Sequence, residues 1–350
     1  MARWVDVKVL GIETSCDETS AALVEGGMVL GGEIVSQADL HRVYGGVVPE
    51  LASREHLQAI GPVVQTALQK ARLSTTDIDL VAVTQGPGLV GALAVGLSFA
   101  KALAWSMDRP IIGVNHLLGH VWANALAGWQ PVFPVLALLV SGGHTDFFRL
   151  DGPHPDEVTV LGRTRDDAAG EAFDKVARIL GLPYPGGPAI EALSADGDPD
   201  AVALPKVQRL RNSLDVSFSG IKTAVYDRMR SPDPPRAADM ATAFQRRVVD
   251  ELVSRVIRMV RQTGVRSVLL GGGVSANASL RRSLEEAAVR EGFRVHIPPR
   301  DLCTDNGAMI AAAGVAAYEA GMRSTFEMEP IPVMEPYKTL RHPSRAGSGG

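Results

Sequence analysis

Cysteine is nearly absent: Cys16 and Cys303 are the two that the 350 residues carry. That excludes a disulfide framework and fits a reducing compartment, so a cytoplasmic location is expected. A basic surplus is missing as well. The formal net charge is -4, which rules out the whole-molecule footprint of a stand-alone nucleic-acid binder and leaves RNA contact to a local patch or a partner. Long hydrophobic runs are lacking too. The most apolar windows, 89–105 and 310–320, are short, rich in Ala and Gly or broken by Lys101, which suits helices buried in protein and predicts no membrane span. The opening MARWVDVKVLGIE carries charge within its first eight residues and has no apolar signal core, so it reads as a first strand.

The remaining composition is that of a globular protein, 46% hydrophobic and 21% charged, with enough chain for two lobes. Apolar runs at 5–12, 21–25 and 29–35 predict an antiparallel meander, followed by a helix over 54–71, a strand over 80–84, a helix over 89–107 and a strand over 111–114. The order then recurs. Strands are expected over 135–141, 146–150 and 158–161, helices over 171–180 and 237–263, a strand over 267–270, a helix over 280–291, a strand over 294–297 and a helix over 306–320. The expected division is a first lobe over 1–118, joined by a C-terminal helix at about 306–325 packing at the lobe junction, and a second lobe over 132–305. The second lobe should contain a Pro-, Gly- and Asp-rich, partly irregular insertion at about 183–235, and 336–350 should be a disordered tail. This is an α/β chain, and two tandem βββαβα lobes resemble the actin, sugar-kinase and Hsp70-type ATPase superfamily, in which a nucleotide sits in the cleft between lobes. That likeness raises the expectation of an adenylate ligand without naming a reaction.

Several loops suit phosphate. GIETSCDETSAAL and LVSGGHTDFF follow the first strand of each lobe. Their glycines let backbone approach closely, and their hydroxyls and N–H groups can donate to anionic oxygen, though an ordinary hairpin turn would look similar. Gly271-Gly272-Gly273-Val-Ser-Ala-Asn277 follows a strand and opens a helix, where the dipole favours an anion or a polar adenosine edge. Gly86-Pro-Gly88-Leu-Val-Gly91 fits the dinucleotide fingerprint, but the acidic residue expected at the end of the next strand is missing, since Asn115 and His116 stand there. No GxxxxGK[ST] occurs.

His116 and His120 are four residues apart, on one face of a helix that begins just after a strand, a spacing able to chelate one cation. The metallopeptidase pattern needs Glu directly after the first His, and Leu117 stands there. Two satisfied core histidines would be the bland alternative. Asp305, at the start of the last helix, is the candidate third ligand, with N-capping as its competing role. Two His and one Asp leave open coordination positions and suit one divalent ion, iron or zinc. His144, in Ser-Gly-Gly-His-Thr, is a further candidate for phosphate contact.

Taken together, GIETSCDETSAA, VNHLLGH, LVSGGHT, DDAAGEAFDK, YPGGP, SFSGIKTA, GGGVSAN and TDNGAMIA, in this order over residues 8 to about 320, resemble the universal tRNA N6-adenosine threonylcarbamoyltransferase family, formerly described as O-sialoglycoprotein endopeptidases. The resemblance implies transfer of a threonylcarbamoyl group from threonylcarbamoyl-AMP to N6 of the adenosine 3′ of the anticodon in ANN-decoding tRNAs, with release of AMP. It implies metal ligation by His116, His120 and Asp305, and donor binding by Leu139, Val140, Ser141, Gly142, Gly143, Asp174, Gly187 and Asn277. After YPGGP the family often shows Asp where this chain has Glu191, which keeps the carboxylate on a longer arm. Glu13 and His144 are the candidates for a catalytic part, and Asp166 and Asp167 are further acidic residues that serve either as bases or as caps. The implied partners are tRNA, an accessory actin-like paralogue and a small ATPase. Lys206, Arg209, Arg211, Lys222, Arg228 and Arg230 form a loosely basic stretch that could meet phosphate. Arg246, Arg247, Arg255, Arg258 and Arg261 read instead as a solvated helix face, because Asp250 and Glu251 interrupt them. An ATP-dependent kinase of the same fold is the main alternative, and for it a His/His/Asp set would be superfluous because magnesium takes oxygen ligands.

Overall fold

A computed structural model of the chain describes residues 6–206, 210 and 213–336. The expected tail after 336, the first residue of the first predicted strand, and Arg209 and Arg211 of the basic stretch therefore lie outside the described residues.

In chain order the elements are β1 (Val9–Glu13), β2 (Glu18–Glu25), β3 (Met28–Ser36), α1 (Ala38–Arg42), α2 (Pro49–Ala71), β4 (Leu80–Gly86), α3 (Val90–Ser106), β5 (Ile111–Asn115) and α4 (His116–Leu126). Then come β6 (Val135–Val140), β7 (Thr145–Leu150), β8 (Val158–Arg163), α5 (Ala169–Ile179), α6 (Gly186–Ser194), α7 (Ser219–Met229) and α8 (Ala237–Thr263). β9 (Ser267–Gly271), α9 (Ala278–Glu291), β10 (Arg294–His296) and α10 (Gly307–Glu319) complete the chain. Among the described residues two compact units result, one within 6–133, 151–158 and 304–336, the other within 134–150 and 159–303.

The first unit holds a five-stranded sheet of order β3-β2-β1-β4-β5, and the second one of order β10-β9-β6-β7-β8. Read from its opposite edge, the second sheet repeats the first. In each, an antiparallel meander (β1 with β2, β6 with β7) continues through a parallel pair (β1 with β4, β6 with β9). β1, β4 and β6 are buried along their whole length, which is why their sequences are continuous apolar runs rather than alternating ones. In both sheets the chain departs in opposite directions from two adjacent parallel strands, and loops at the carboxyl ends of such strands are where ligands of open α/β sheets bind.

On one face of the first sheet Leu10, Ile12, Leu23, Val63, Val64 and Leu97 form a core with α2 and α3. α10 lies against β1 and α4. It approaches β1 so closely that a Cβ on Gly11 would stand 2.1 Å from the Gly307 carbonyl oxygen, and one on Gly307 would stand 2.6 Å from the Ala22 nitrogen. The second core gathers Leu138, Phe147, Phe173, Val176, Phe244, Leu252 and Leu270, with the Phe173 and Phe244 rings edge-to-face at 5.1 Å.

One expectation needs correction. α2 starts at Pro49 rather than near 54, with proline in the first turn, where its missing N–H costs nothing. The stretch 183–235 contributes α6 and α7, whose Ile190, Ile221 and Val225 join the second core. Among the described residues no helix is long and apolar enough to cross a membrane.

Candidate metal centre and phosphate loops

β5 passes into α4 without a loop, and Asn115 makes the transition. Its Oδ1 accepts from the Leu117 and Leu118 N–H groups at 2.9 and 3.3 Å, capping the helix at its first turn. His116 and His120 then project from one face of α4, one turn apart, with ring centroids 4.9 Å apart. Asp305 arrives just before α10. The capping role open to it from sequence belongs to its neighbour, since Asn306 Oδ1 accepts from the Met309 N–H at 2.8 Å. The Asp305 carboxylate points instead at the imidazoles, with Oδ1 3.1 Å from His120 Nε2 and 3.5 Å from His116 Nε2. Ligand atoms of all three residues lie within 4.8 Å of one another.

Glu13, at the end of β1, is fully buried. Its Oε2 takes a hydrogen bond from Thr84 Oγ1 at 2.6 Å and lies 3.0 Å from His116 Nδ1, while Oε1 accepts from the Ser15 N–H. Ser15 Oγ also lies 3.2 Å from His116 Nδ1. A carboxylate behind an imidazole fixes which ring nitrogen faces forward and raises its basicity. Burial pushes the Glu13 carboxyl up, but the facing His116 more than offsets it and holds the group below its ordinary range. Burial pulls His116 down, yet Asp305 and Glu13 together drive its imidazole up to about 9. The pocket therefore stabilises positive charge. The two ring nitrogens of His120 are buried and make no hydrogen bond, Nε2 facing the Asp305 carboxylate and Nδ1 facing no polar partner, an arrangement that buried polar groups avoid unless something else satisfies them. Orphaned imidazole nitrogens, a convergent carboxylate and a field that favours a cation together fit a bound metal ion.

In the second unit the turn after β6 is closed by two bonds, Ser141 N–H to His144 O at 2.8 Å and His144 N–H to Ser141 Oγ at 3.1 Å. Leu139 and Val140 bury their side chains in β6, so the exposed part of this segment is the backbone of Gly142 and Gly143. A Cβ on either glycine, or on Gly187 or Gly273, would meet nothing within 4 Å, leaving backbone free for close approach. Gly272 differs. It has a left-handed φ of 86°, and a Cβ there would stand 2.5 Å from the Val140 carbonyl oxygen, so the loop after β9 lies against the end of β6. Asp174 Oδ1 accepts from the Gly186 N–H at 2.7 Å, holding the first turn of α6. Glu191 accepts from the Ala278 N–H at 3.1 Å and from Asn277 Nδ2 at 3.3 Å, and Asn277 also donates to Gln245 at 2.7 Å and caps α9. Asp174, Glu191 and Asn277 therefore have protein partners, and Gln245, which no sequence motif marked, holds the Asn277 amide.

Other candidates are occupied as well. Thr14 of the first loop donates to Ala92 O at 2.9 Å. Asp166 accepts from the N–H groups of Phe218 and Ser219 at the start of α7, and Asp167 binds Lys175 and Lys222, both at 2.7 Å. The fingerprint-like loop after β4 admits protein rather than ligand. A Cβ on Gly86 would stand 1.9 Å from Ile331 O, and one on Gly88 would stand 2.6 Å from Ser15 O. The α8 arginines are a solvated face only in part: Arg246 and Arg261 are exposed, and the others turn inward. Arg247 and Arg255 are buried against Glu251, Arg255 also donates to Asp215 O and Leu210 O, and Arg261 pairs with Glu291.

With this geometry in place, likeness to known proteins can be weighed. The model of the family described as tRNA N6-adenosine threonylcarbamoyltransferase matches residues 28–312. This chain belongs to that family. A relative so named from Symbiobacterium thermophilum is 53% identical over 328 residues, covering 93% of this chain and 95% of its own. One from Sorangium cellulosum is 48% identical and covers 98% of this chain and 99% of its own. One from Bacillus subtilis is 47% identical over 341 residues, covering 96% and 97%. Among solved structures, full-length HypF in its phosphate- and nucleotide-bound form matches with a TM-score of 0.61 at 15% identity, over 91% of this chain and 47% of that one. The activator of 2-hydroxyisocaproyl-CoA dehydratase from Clostridium difficile matches with a TM-score of 0.51 at 15% identity, over 91% and 99%. These structural likenesses establish the fold, which is that of the actin-like ATPases and sugar kinases. The family's motifs fall here on the carboxyl ends of β1, β5, β6 and β9 and on the start of α10.

Proposed function

We propose that this protein modifies tRNA, transferring the threonylcarbamoyl group of threonylcarbamoyl-AMP to N6 of the adenosine 3′ of the anticodon in ANN-decoding tRNAs and releasing AMP. Membership of the family over nearly the whole chain supports the reaction class. The single observation that carries the chemical reading is the set of buried His116 and His120 with half-buried Asp305, backed by Glu13.

In the proposed mechanism His116, His120 and Asp305 hold one divalent ion, iron(II) by preference and zinc as the alternative. When bound, such an ion supplies Lewis-acid stabilisation of negative charge on phosphate oxygen. Glu13 acts as a positioning residue: its Oε2 faces His116 Nδ1, so Nε2 points into the site. Thr84 and Ser15 fix Glu13 in turn. In the second unit the open backbone of Gly142, Gly143 and Gly187 takes the donor's phosphate and ribose, and His144 is the imidazole that meets the phosphate. Asp174, Glu191 and Asn277 shape the adenosine end, the last two as a pair that Gln245 orients. The N6 amine attacks the carbamoyl carbon, the carbon–oxygen bond to phosphate breaks, AMP leaves with that electron pair, and the amine proton passes to solvent. tRNA is the acceptor, and an accessory actin-like paralogue and a small ATPase are the proposed partners of a chain with no net basic charge.

The test is transfer of labelled threonylcarbamoyl from threonylcarbamoyl-AMP to ANN-decoding tRNA by the chain with its partner subunits. Label should enter tRNA with wild type and fall to background with His116→Ala and Asp305→Ala. Undiminished transfer in both variants would remove the triad from the mechanism.

A further inference from the structure

The C-terminal segment after α10 returns across the ends of β4 and β5. Ser324 opens the crossing: its Oγ accepts from the Gly113 N–H at 3.0 Å and its own N–H donates to Ile111 O at 3.3 Å. Gln85 Nε2 then donates to Glu329 O at 3.0 Å, the Ile331 N–H donates to Gln85 O at 2.8 Å, and the Gly88 N–H donates to Pro332 O at 3.2 Å. The crossing ends at Met334, which is 4% exposed and whose carbonyl oxygen accepts from Asn115 Nδ2 at 3.1 Å. Glycine at 86 is required for this path, because a side chain there would strike the Ile331 carbonyl.

Asn115 is 1% exposed and spends both ends of its amide. The oxygen caps α4 one residue before His116, and the nitrogen grips the C-terminal crossing. The two roles need different atoms. An acceptor alone would cap the helix, and only an amide can also donate to a carbonyl 219 residues away in sequence. Because His116 and His120 ride on the first turns of α4, whatever fixes the entry of that helix fixes the imidazoles with it.

We propose that Asn115 is a positioning residue for the metal centre, tying the start of α4 to the C-terminal segment 324–334, so that this segment is part of what sets the geometry of the two histidines. The inference rests on the reading of His116, His120 and Asp305 as metal ligands. Neither Asn115 nor Met334 touches the ion, and their effect passes through helix placement.

Cobalt(II) is the probe, since its visible spectrum reports the ligand field directly. Asn115→Asp keeps an acceptor for the cap and loses the donor to Met334. A chain ending at Pro330 removes the acceptor from the other side, and one ending at residue 336 leaves the crossing whole. Wild type and the 336 truncation should bind cobalt with the same spectrum. Asn115→Asp and the 330 truncation should each bind about 10- to 100-fold more weakly with an altered spectrum, and the two changes together should be no worse than the truncation alone, as expected if Asn115 acts through the segment that the truncation removes. The thermal midpoint of each chain in chelator shows whether it is folded. Thr263→Val, which removes a hydrogen bond to Met259 O in α8, is the control for general destabilisation and should leave the cobalt spectrum unchanged. Wild-type affinity and spectrum in both folded altered chains would overturn the tie while leaving the metal reading standing. Wild type that binds no more cobalt than His116→Ala would overturn both. If the 330 truncation fails to fold, Asn115→Asp alone still decides.

Discussion

At the scale of single residues, the centre is a set of two imidazoles and a carboxylate whose ligand atoms lie within 4.8 Å of one another. His120, with both ring nitrogens buried, neither making a hydrogen bond and Nε2 facing the Asp305 carboxylate, is held in that place best with a ligand and otherwise at some cost to the fold. His120→Ala should therefore reduce affinity for a divalent ion by more than the about 100-fold that loss of an outer partner can reach, while leaving the ion-free protein at least as stable as wild type. Equilibrium dialysis with zinc and thermal unfolding in chelator measure the two halves separately. Glu13→Gln is the finer probe. It keeps an oxygen for His116 Nδ1 but removes the charge, so metal affinity should drop about tenfold with the fold intact, and unchanged affinity would count against the positioning role. The spacing of His116 and His120 was legible because a helix repeats every 3.6 residues. Thr84 and Asn115 were not, since each acts through a partner distant in the chain, Thr84 through Glu13 and Asn115 through Met334, and no local pattern encodes such a pairing.

At the scale of elements, the two sheets were legible in outline because β1, β4 and β6 are buried throughout and read as apolar runs. The start of α2 was missed because Pro49 was not weighed as a first-turn residue, and α6 and α7 because their short apolar faces sit among glycine and proline. α10 holds its place on β1 through glycine-to-backbone contact. Gly11→Ala, which would set a methyl 2.1 Å from Gly307 O and 2.5 Å from Ala311 N, should cost about 1–3 kcal/mol or more and displace Asp305 with the helix. Urea unfolding and zinc affinity should both worsen, and a change in neither would refute that packing. At the start of α7, Asp166 does the work of a cap. Asp166→Ala should cost about 1 kcal/mol in urea unfolding, and its effect should be on stability rather than on the affinity of the metal centre in the other unit.

At the scale of the whole molecule, charge is spent inward. Arg247 and Arg255 of α8 and the Asp166, Asp167 and Asp215 carboxylates are tied up in the second unit, which sequence could not reveal because a charge run reads the same whether solvated or paired. Burial pushes the Asp167 carboxyl up, but its bonds to Lys175 and Lys222 more than offset this. Asp215 is held down in the same way by the Arg163 N–H and the Arg165 guanidinium. A carboxyl whose folded-state pKa is depressed adds stability that is fully present above its unfolded value, ordinarily 3.8, and is lost as pH falls through the folded value. The urea midpoint of the Asp167→Asn, Asp215→Asn double variant should thus lie below wild type at about pH 6, with the gap closing as pH falls below about 4. A gap that persists undiminished at about pH 2.5 would show that the pairing, and not the charge, carries the effect. The same scale bears on the reaction. The actin-like fold is shared with proteins of other activities, so fold alone cannot distinguish transfer to tRNA from phosphoryl chemistry. The most direct measurement is the stoichiometry of products from threonylcarbamoyl-AMP and ANN-decoding tRNA with the partner subunits present. Transfer predicts AMP and threonylcarbamoyladenosine in equal amounts, both dependent on tRNA and both lost with His116→Ala. AMP released without modified nucleoside, or ATP consumed to phosphorylate a small molecule, would contradict the account.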